Sequence, residues 1–171
     1  RGAEVVLVSG PSALPEPSGM KVIHIESAAQ MRERVLQEFP DADIVIKAAA
    51  VADYRAREIA ANKIKKNEET LTLVLEQNPD ILKELGSLKR KGQILVGFAA
   101  ETQNLLEFAR QKLEKKNLEC IVANDVTKPN AGFNTETNLV KLLSRDGGIE
   151  EFPLMSKREL AGIILDRVEA L

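Results

Sequence analysis

Apolar positions along the chain follow two periods. Short aliphatic and β-branched runs recur at Glu4–Val8, Lys21–Ile25, Ile44–Ile46, Leu71–Leu75, Ile94–Phe98 and Cys120–Ala123. Most are bounded by Gly, Pro, Asn or Asp, which predicts strands, buried ones at Ile44–Ile46 and Ile94–Phe98, with Leu71–Leu75 read as part of a ribbon with the basic loop that precedes it. Between them the spacing changes to three and four residues. Met31, Val35 and Leu36 share one face of a predicted helix over Ala28–Phe39, capped by Ser27. Leu105, Leu106, Ala109 and Leu113 do the same over Asn104–Lys116, where the terminal lysines favour the helix dipole. Asn78-Pro79-Asp80 predicts a helix start, with Asn as cap, Pro in first position and an acid in the first turn. That helix is expected to run to about Leu85 and to end at Gly86. Thr127–Asn138 is polar and reads as a loop. Leu139–Leu143 and Ile149–Phe152 flank Asp146-Gly147-Gly148, a hairpin turn. Ser156-Lys157-Arg158-Glu159 is a capping box that opens a last amphipathic helix through Ile163, Ile164 and Val168.

The order strand, strand, helix, strand at the front predicts an α/β fold with a mostly parallel sheet, finished by a β-hairpin and a helix. No repeat, linker or low-complexity stretch divides residues 1–171, so a single domain is expected. The first residue is not Met, and Gly2 just before a strand is what the end of a preceding helix would leave. The expectation is a piece of a longer protein, missing at least one element at its front.

Composition narrows the function classes. The chain is 44% hydrophobic and 29% charged, as in ordinary soluble proteins. A net charge of -2 gives no general pull toward nucleic acid or an anionic membrane. No apolar run approaches a membrane span and no signal peptide is visible. The one cysteine, Cys120, excludes an internal disulfide framework and fits a reducing cytoplasm. Set in Glu119-Cys-Ile-Val-Ala, it reads as a small buried hydrophobe rather than a nucleophile. The lone histidine, His24, lies in a strand and reads as a structural or surface residue.

Candidate chemistry collects at three strand ends: Ala48–Tyr54, Phe98–Glu101 and Asn124–Lys128. In an open α/β sheet, ligands bind outside the carboxyl ends of the strands. The first of these stretches organises the rest. Ile44-Val45-Ile46 spills into Ala48-Ala49-Ala50-Val51-Ala52, small side chains that let a ligand approach, then into Asp53-Tyr54 and a loop carrying Lys63, Lys65 and Lys66. An acid able to hold a metal, with lysines able to hold phosphate, suits a nucleoside triphosphate. A solvated charged loop after an ordinary strand explains the same residues. The helix start at Asn78 offers free N–H groups to a phosphate or base edge, although capping alone accounts for it. There is no His/Cys cluster at metal-ligand spacing, no Gly-x-Ser-x-Gly, no Walker loop and no Gly-x-Gly-x-x-Gly.

Ala48–Tyr54, Lys63-Ile64-Lys65-Lys66, Asn78-Pro79-Asp80-Ile81, Gly97–Thr102, Ala109-Arg110-Gln111-Lys112, Ala123-Asn124-Asp125-Val126 and Gly132-Phe133-Asn134 come in the order of one family. Over nearly its whole length the chain resembles the phosphopantothenate–cysteine ligase domain of bacterial coenzyme A biosynthesis. The resemblance implies a Rossmann-like domain with helices on both faces of the sheet. It implies an enzyme that joins 4'-phosphopantothenate to cysteine with CTP and magnesium, through an acyl-cytidylate. Carried over residue by residue, the CTP contacts fall on Asp53, Lys63, Pro79, Asp80, Ile81, Leu82, Phe98, Lys112 and Lys116. Lys63 takes the catalytic role, and Asp53 meets either the metal or the nucleotide. The resemblance further implies a homodimer and an upstream flavin-dependent decarboxylase domain. The family's first strand, its Gly-rich turn and an Asn-containing Ser-Ser-Gly-Lys-Met-Gly segment have no counterpart in these residues, so the 171 residues alone are expected to lack turnover. Two other readings stand beside it. A nicotinamide-dependent oxidoreductase also suits small residues and an acid after a strand, although Tyr54 is followed four residues later by Glu58 rather than Lys. The other is a nucleotide-binding module without chemistry.

Overall fold

The computed structural model describes residues 1–65, 70–101, 105–125, 132 and 135–171. The front holds β1 (Val6–Ser9), β2 (Lys21–His24), α1 (Ala28–Glu38), a short 3-10 turn (Phe39–Asp41) and β3 (Ile44–Lys47). Then come β4 (Tyr54–Ala56), β5 (Leu75–Gln77), α2 (Ile81–Leu88), β6 (Ile94–Glu101) and α3 (Leu105–Lys115). The chain closes with β7 (Cys120–Asp125), β8 (Thr137–Asn138), β9 (Val140–Ser144), β10 (Ile149–Glu151), β11 (Met155–Ser156) and α4 (Lys157–Glu169). Contacts gather into two compact units, Arg1–Glu38 with Ala50–Asp80, and Phe39–Ala49 with Ile81–Leu171.

In the first unit β1 and β2 pair in parallel, Val6 opposite Lys21 through Ser9 opposite His24. Helix α1 packs on β1, and its Met31 is buried. Ser27 caps it as the sequence predicts. The Ser27 hydroxyl accepts from Gln30 N at 3.2 Å, and the Gln30 side chain accepts in return from Glu26 N at 2.7 Å. The other element of this unit is an antiparallel ribbon of β4 and β5, Tyr54 opposite Gln77 and Ala56 opposite Leu75.

The expected ribbon with the basic loop is present, but its second strand is shifted from the expected Leu71–Leu75. Pairing begins at Leu75 and runs to Gln77, while Leu71, Leu73 and Val74 are exposed. The register is set by polar cross-strand partners rather than by apolar alternation. Arg55 bonds the Glu76 carboxylate at 2.8 Å, and Arg57 N donates to Val74 O at 2.9 Å. Asn78 serves the same ribbon and is not a helix cap. Its side-chain amide donates to Ala52 O at 2.8 Å, and its oxygen accepts from Arg55 at 3.2 Å.

The second unit is a five-stranded sheet in the order β10-β9-β7-β6-β3. β3, β6 and β7 run parallel, and β9 and β10 close one side as an antiparallel hairpin. The hairpin turns where Asp146-Gly147-Gly148 predicts. Gly147 has φ +93°, a conformation that favours glycine, and Ser144 N donates to Gly148 O at 3.0 Å. Strand alternation sends successive side chains to opposite faces. On one face Val96, Cys120, Val122, Val140 and Leu142 form a buried cluster with Leu160, Ile164 and Val168 of α4. On the other, a Cβ built on Gly97 would lie 2.8 Å from Leu82 of α2, so that helix covers the opposite side. The sheet is therefore mostly parallel with helices on both faces, as expected. Helix α4 opens on the predicted capping box: the Ser156 hydroxyl accepts from Glu159 N at 3.2 Å, and Glu159 accepts from Ser156 N at 3.1 Å.

Helix α2 departs from the sequence reading. It runs to Leu88, with Gly86 buried inside it rather than ending it. A Cβ at Gly86 would sit 1.9 Å from the carbonyl oxygen of Lys116, so the glycine is there to let α2 approach the end of α3. Asn117 completes that junction in a left-handed conformation (φ 53°), its side-chain amide donating to Gly86 O at 2.8 Å. Around it Lys89 bonds Asn117 O at 2.8 Å and pairs with the Glu119 carboxylate, which also accepts from Leu95 N at 2.9 Å. Arg145 donates to Leu118 O and to Asn117 Oδ1. The network knits the ends of α2 and α3 to the starts of β6 and β7.

Candidate functional site

The alanine stretch following β3 is largely exposed, Ala48, Ala49, Ala50 and Ala52 all lying open, as small residues at a strand's carboxyl end should. Asp53 follows, exposed, and its main chain is fixed: Asn78 N donates to Asp53 O at 2.8 Å beside the Asn78–Ala52 bond. The root of the β4–β5 ribbon thus holds Asp53 next to Asn78, one residue before Pro79. Lys63 and Lys65 are exposed in the loop joining the two ribbon strands. Lys66, Thr102, Asn104, Val126 to Lys128, Phe133 and Asn134 lie outside the described residues.

The remaining predicted contacts divide by chemistry. Pro79 and Asp80 are exposed, whereas the side chains of Ile81 and Leu82 are buried in the second unit. From positions 81 and 82 only the main chain is left to meet a ligand. Phe98, half-buried on β6, packs against the cluster under α4. Lys112 and Lys116 are half-buried at the end of α3, where the exit turn returns to the start of β6 through Glu119 N to Leu95 O at 3.0 Å. Phe98 lies on the carboxyl-terminal half of that strand. The structure therefore joins Asp53 to Asn78 directly, while Lys112 lies in the last turn of α3 and Lys116 just beyond it.

Among the described residues no group of three or more His, Cys, Asp or Glu side chains is placed to hold a cation. A lone exposed carboxylate such as Asp53 fits a magnesium ion that arrives with phosphates, since Mg²⁺ is commonly held by one or two carboxylates plus substrate oxygens. His24 is exposed and bonded to Glu16 at 2.5 Å, the surface role expected of it. A cavity of about 490 Å³ lies instead beside the hairpin turn, lined by Arg110, Glu114 and Arg145 among others. Arg145 N bonds Glu119 O just before β7, so this cavity is at the amino-terminal edge, away from the strand ends that carry the candidate chemistry.

Cys120 is buried in the cluster under α4, and its thiol is pushed up to about 12 by burial and, secondarily, by the Glu150 charge. Thiolate is the reactive form, so the native protein should resist iodoacetamide at pH 8 and be labelled only in denaturant. Equal labelling rates in both conditions would contradict this placement.

The sequence reading named the strand end at Asn124 without giving that residue a role. In the structure Asn124 is a buried polar residue at the carboxyl end of β7. The signal was its position after a wholly apolar run, Cys120 to Ala123. Among the described residues no helix is long and apolar enough to cross a membrane.

A family model described as the DNA/pantothenate metabolism flavoprotein C-terminal domain matches residues 1–171. The chain is 50% identical over 171 residues to the coenzyme A biosynthesis bifunctional protein CoaBC of Bacillus subtilis (strain 168), covering 99% of this chain and 42% of that protein. It is 41% identical to a cysteine/cysteine sulfinic acid decarboxylase from an unknown prokaryotic organism, covering 99% of this chain and 48% of that one. Among solved structures, the crystal structure of the C-terminal domain of a coenzyme A biosynthesis bifunctional protein CoaBC matches with a TM-score of 0.82 and 43% identity, over 99% of this chain and 74% of that one. The chain spans less than half the length of these curated relatives.

Proposed function

This chain belongs to the family of the DNA/pantothenate metabolism flavoprotein C-terminal domain, and on that footing we propose that it is the CTP-dependent phosphopantothenate–cysteine ligase part of a longer, cytoplasmic parent protein. The observation that carries the proposal is the 50% identity, over the whole chain, to a protein named for coenzyme A biosynthesis. The word bifunctional in that name supports a second activity elsewhere in the parent, which the resemblance to the ligase family makes a flavin-dependent decarboxylase.

A carboxylate is a poor electrophile. In the proposed reaction the carboxylate oxygen of 4'-phosphopantothenate attacks the α-phosphorus of CTP, the bond to the β-phosphate breaks, and pyrophosphate leaves. The cysteine amine then attacks the acyl carbon of the mixed anhydride, the bond to the CMP oxygen breaks, and the amine proton passes to water. Bringing two anions together demands cations aimed at the charge that develops. Lys63, on an exposed loop after the alanine stretch, is assigned to the phosphates. Asp53, held by its main chain to Asn78, is assigned to the nucleotide or its metal, and magnesium would neutralise phosphate charge. Pro79, Asp80, Ile81 and Leu82 are assigned to CTP as a main-chain surface, with Phe98, Lys112 and Lys116 as side-chain contacts. The parent is proposed to be a homodimer. Tyr54, Ile59, Ile64, Leu71, Leu73 and Leu75 are exposed on and around the β4–β5 ribbon, an apolar surface suited to a second copy. Among the described residues the edge strand β3 pairs with β6 alone and exposes Ile44 and Ile46, which suits the addition of a further parallel strand from the parent.

The test uses the parent protein. Pyrophosphate release should require phosphopantothenate, and CMP release should require cysteine as well. CTP should raise the Tm and NADPH should not, since only a ligand of the folded state stabilises it. Pyrophosphate release without the acyl substrate, or stabilisation by NADPH alone, would overturn the reading.

A further inference from the structure

Three polar side chains are buried among the described residues: Gln93, Asn124 and Asn138. The carboxamide oxygens of two of them are paired. Gln93 accepts from Arg90 N at 2.8 Å, and Asn138 accepts from Gly132 N at 3.2 Å and Leu139 N at 3.0 Å. Asn124 is only 9% exposed, yet its Oδ1 has no hydrogen-bond partner. A buried acceptor left unpaired is costly and uncommon in native proteins, and its presence calls for a reason.

Its surroundings supply one. Asn124 lies near the carboxyl end of β7, opposite Ala100 on β6 and Val140 on β9. By strand alternation it shares a face with Cys120 and Val122, and Phe98 packs against the cluster those two belong to. The flanking side chains, Ala100 and Val140, carry no group able to donate. Ala100 is also small and exposed, leaving space beside the amide at the edge where α/β sheets bind ligands. We propose that Asn124 is a substrate-binding residue whose Oδ1 accepts a hydrogen bond from an N–H or O–H group of the bound nucleotide or acyl substrate. The inference rests on the ligase reading, which supplies two sources of such a donor: the exocyclic amine of the nucleobase, and the amide and hydroxyl groups of the acyl substrate. A site built around an acceptor rejects ligands that lack the donor far more strongly than an apolar site does.

The parent protein is the material for the test, with CTP, UTP and phosphopantothenate as probes. Asn124→Leu keeps the volume and removes both polar atoms. Its Tm without ligand should equal or exceed that of the wild type, because the unpaired oxygen is gone. Its affinity for one probe, read by the ligand-induced Tm shift and by KM, should fall about 10–100-fold while the other is unchanged. If the base is the donor, the wild type should favour CTP over UTP, which presents a carbonyl at that position, and the variant should bind both alike. If the acyl substrate is the donor, the loss should fall on phosphopantothenate. Unchanged affinity for both, or a lower Tm with equal losses for both, would overturn the inference in favour of a packing role. Should the Leu variant fail to fold, Asn124→Thr and Asn124→Val suit a strand and differ only by a hydroxyl in place of a methyl. Thr should retain about tenfold more affinity, and equal affinities would refute the assignment. Failure of the wild type to bind or couple these substrates would refute the ligase reading itself, whereas normal wild-type turnover with an unaffected variant would refute only the role of Asn124.

Discussion

Replacing Lys63 by alanine in the parent protein is expected to lower the proposed ligation rate about 10²–10³-fold, or roughly 3–4 kcal/mol, without loss of fold. The lysine sits exposed in the loop between β4 and β5, so no core contact is lost with it. On the proposed assignment, what is lost is a cation near two reacting anions, and that matters most as charge develops. The loss should therefore appear in kcat, with the Tm of the unliganded protein unchanged. Lys66→Ala is the control, expected to cost far less because only the first lysine of the run is assigned to the ligand. Equal losses from the two substitutions, or full activity in Lys63→Ala, would end this assignment.

Gly86→Ala is expected to destabilise the protein by at least about 3 kcal/mol, the upper range of overpacking effects. For a chain of this size that lowers the Tm by roughly 6–12 °C. Helix propensity argues the reverse, since alanine is the better helix former by about 1 kcal/mol. The deciding fact is the 1.9 Å approach of a new Cβ to the Lys116 carbonyl oxygen, a main-chain atom held at the α2–α3 junction. Gly162 in α4 provides the contrast, because a Cβ there meets nothing within 4 Å. Gly162→Ala should raise stability by about 0.5–1 kcal/mol. Thermal and denaturant unfolding of the two variants measure both signs. A Gly86→Ala protein as stable as the wild type would mean that α2 and α3 do not approach each other so closely.

The two glycines mark the boundary between what the chain discloses locally and what it does not. Ser156 to Glu159 was readable as a capping box, and Asp146-Gly147-Gly148 as a turn, because each acts on backbone within four residues of itself. The periods of the strands and helices were readable for the same reason: one face of each element must leave water whatever covers it. The resemblance to the ligase family was readable too, since it is a property of residue order.

Several features depended on partners far along the chain. Gly86 is written like a helix stop, yet it is packed against Lys116, thirty residues on. Asn78 has the sequence of a cap, but Ala52 and Arg55 compete for its side chain and hold it. The strand expected at Leu71–Leu75 is displaced to Leu75–Gln77 because Arg55 and Glu76 set the register. Likewise, burial of Ile81 and Leu82 leaves those positions only their main chain for a ligand, and the unpaired oxygen of Asn124 is defined by what neighbouring strands fail to offer it. By itself the sequence determined the elements, their periods and the family, because those follow from bonds and burial within a few residues. Only the tertiary structure decided register, helix approach and which polar atoms go unanswered, because each is settled by groups that the chain brings together from distant positions.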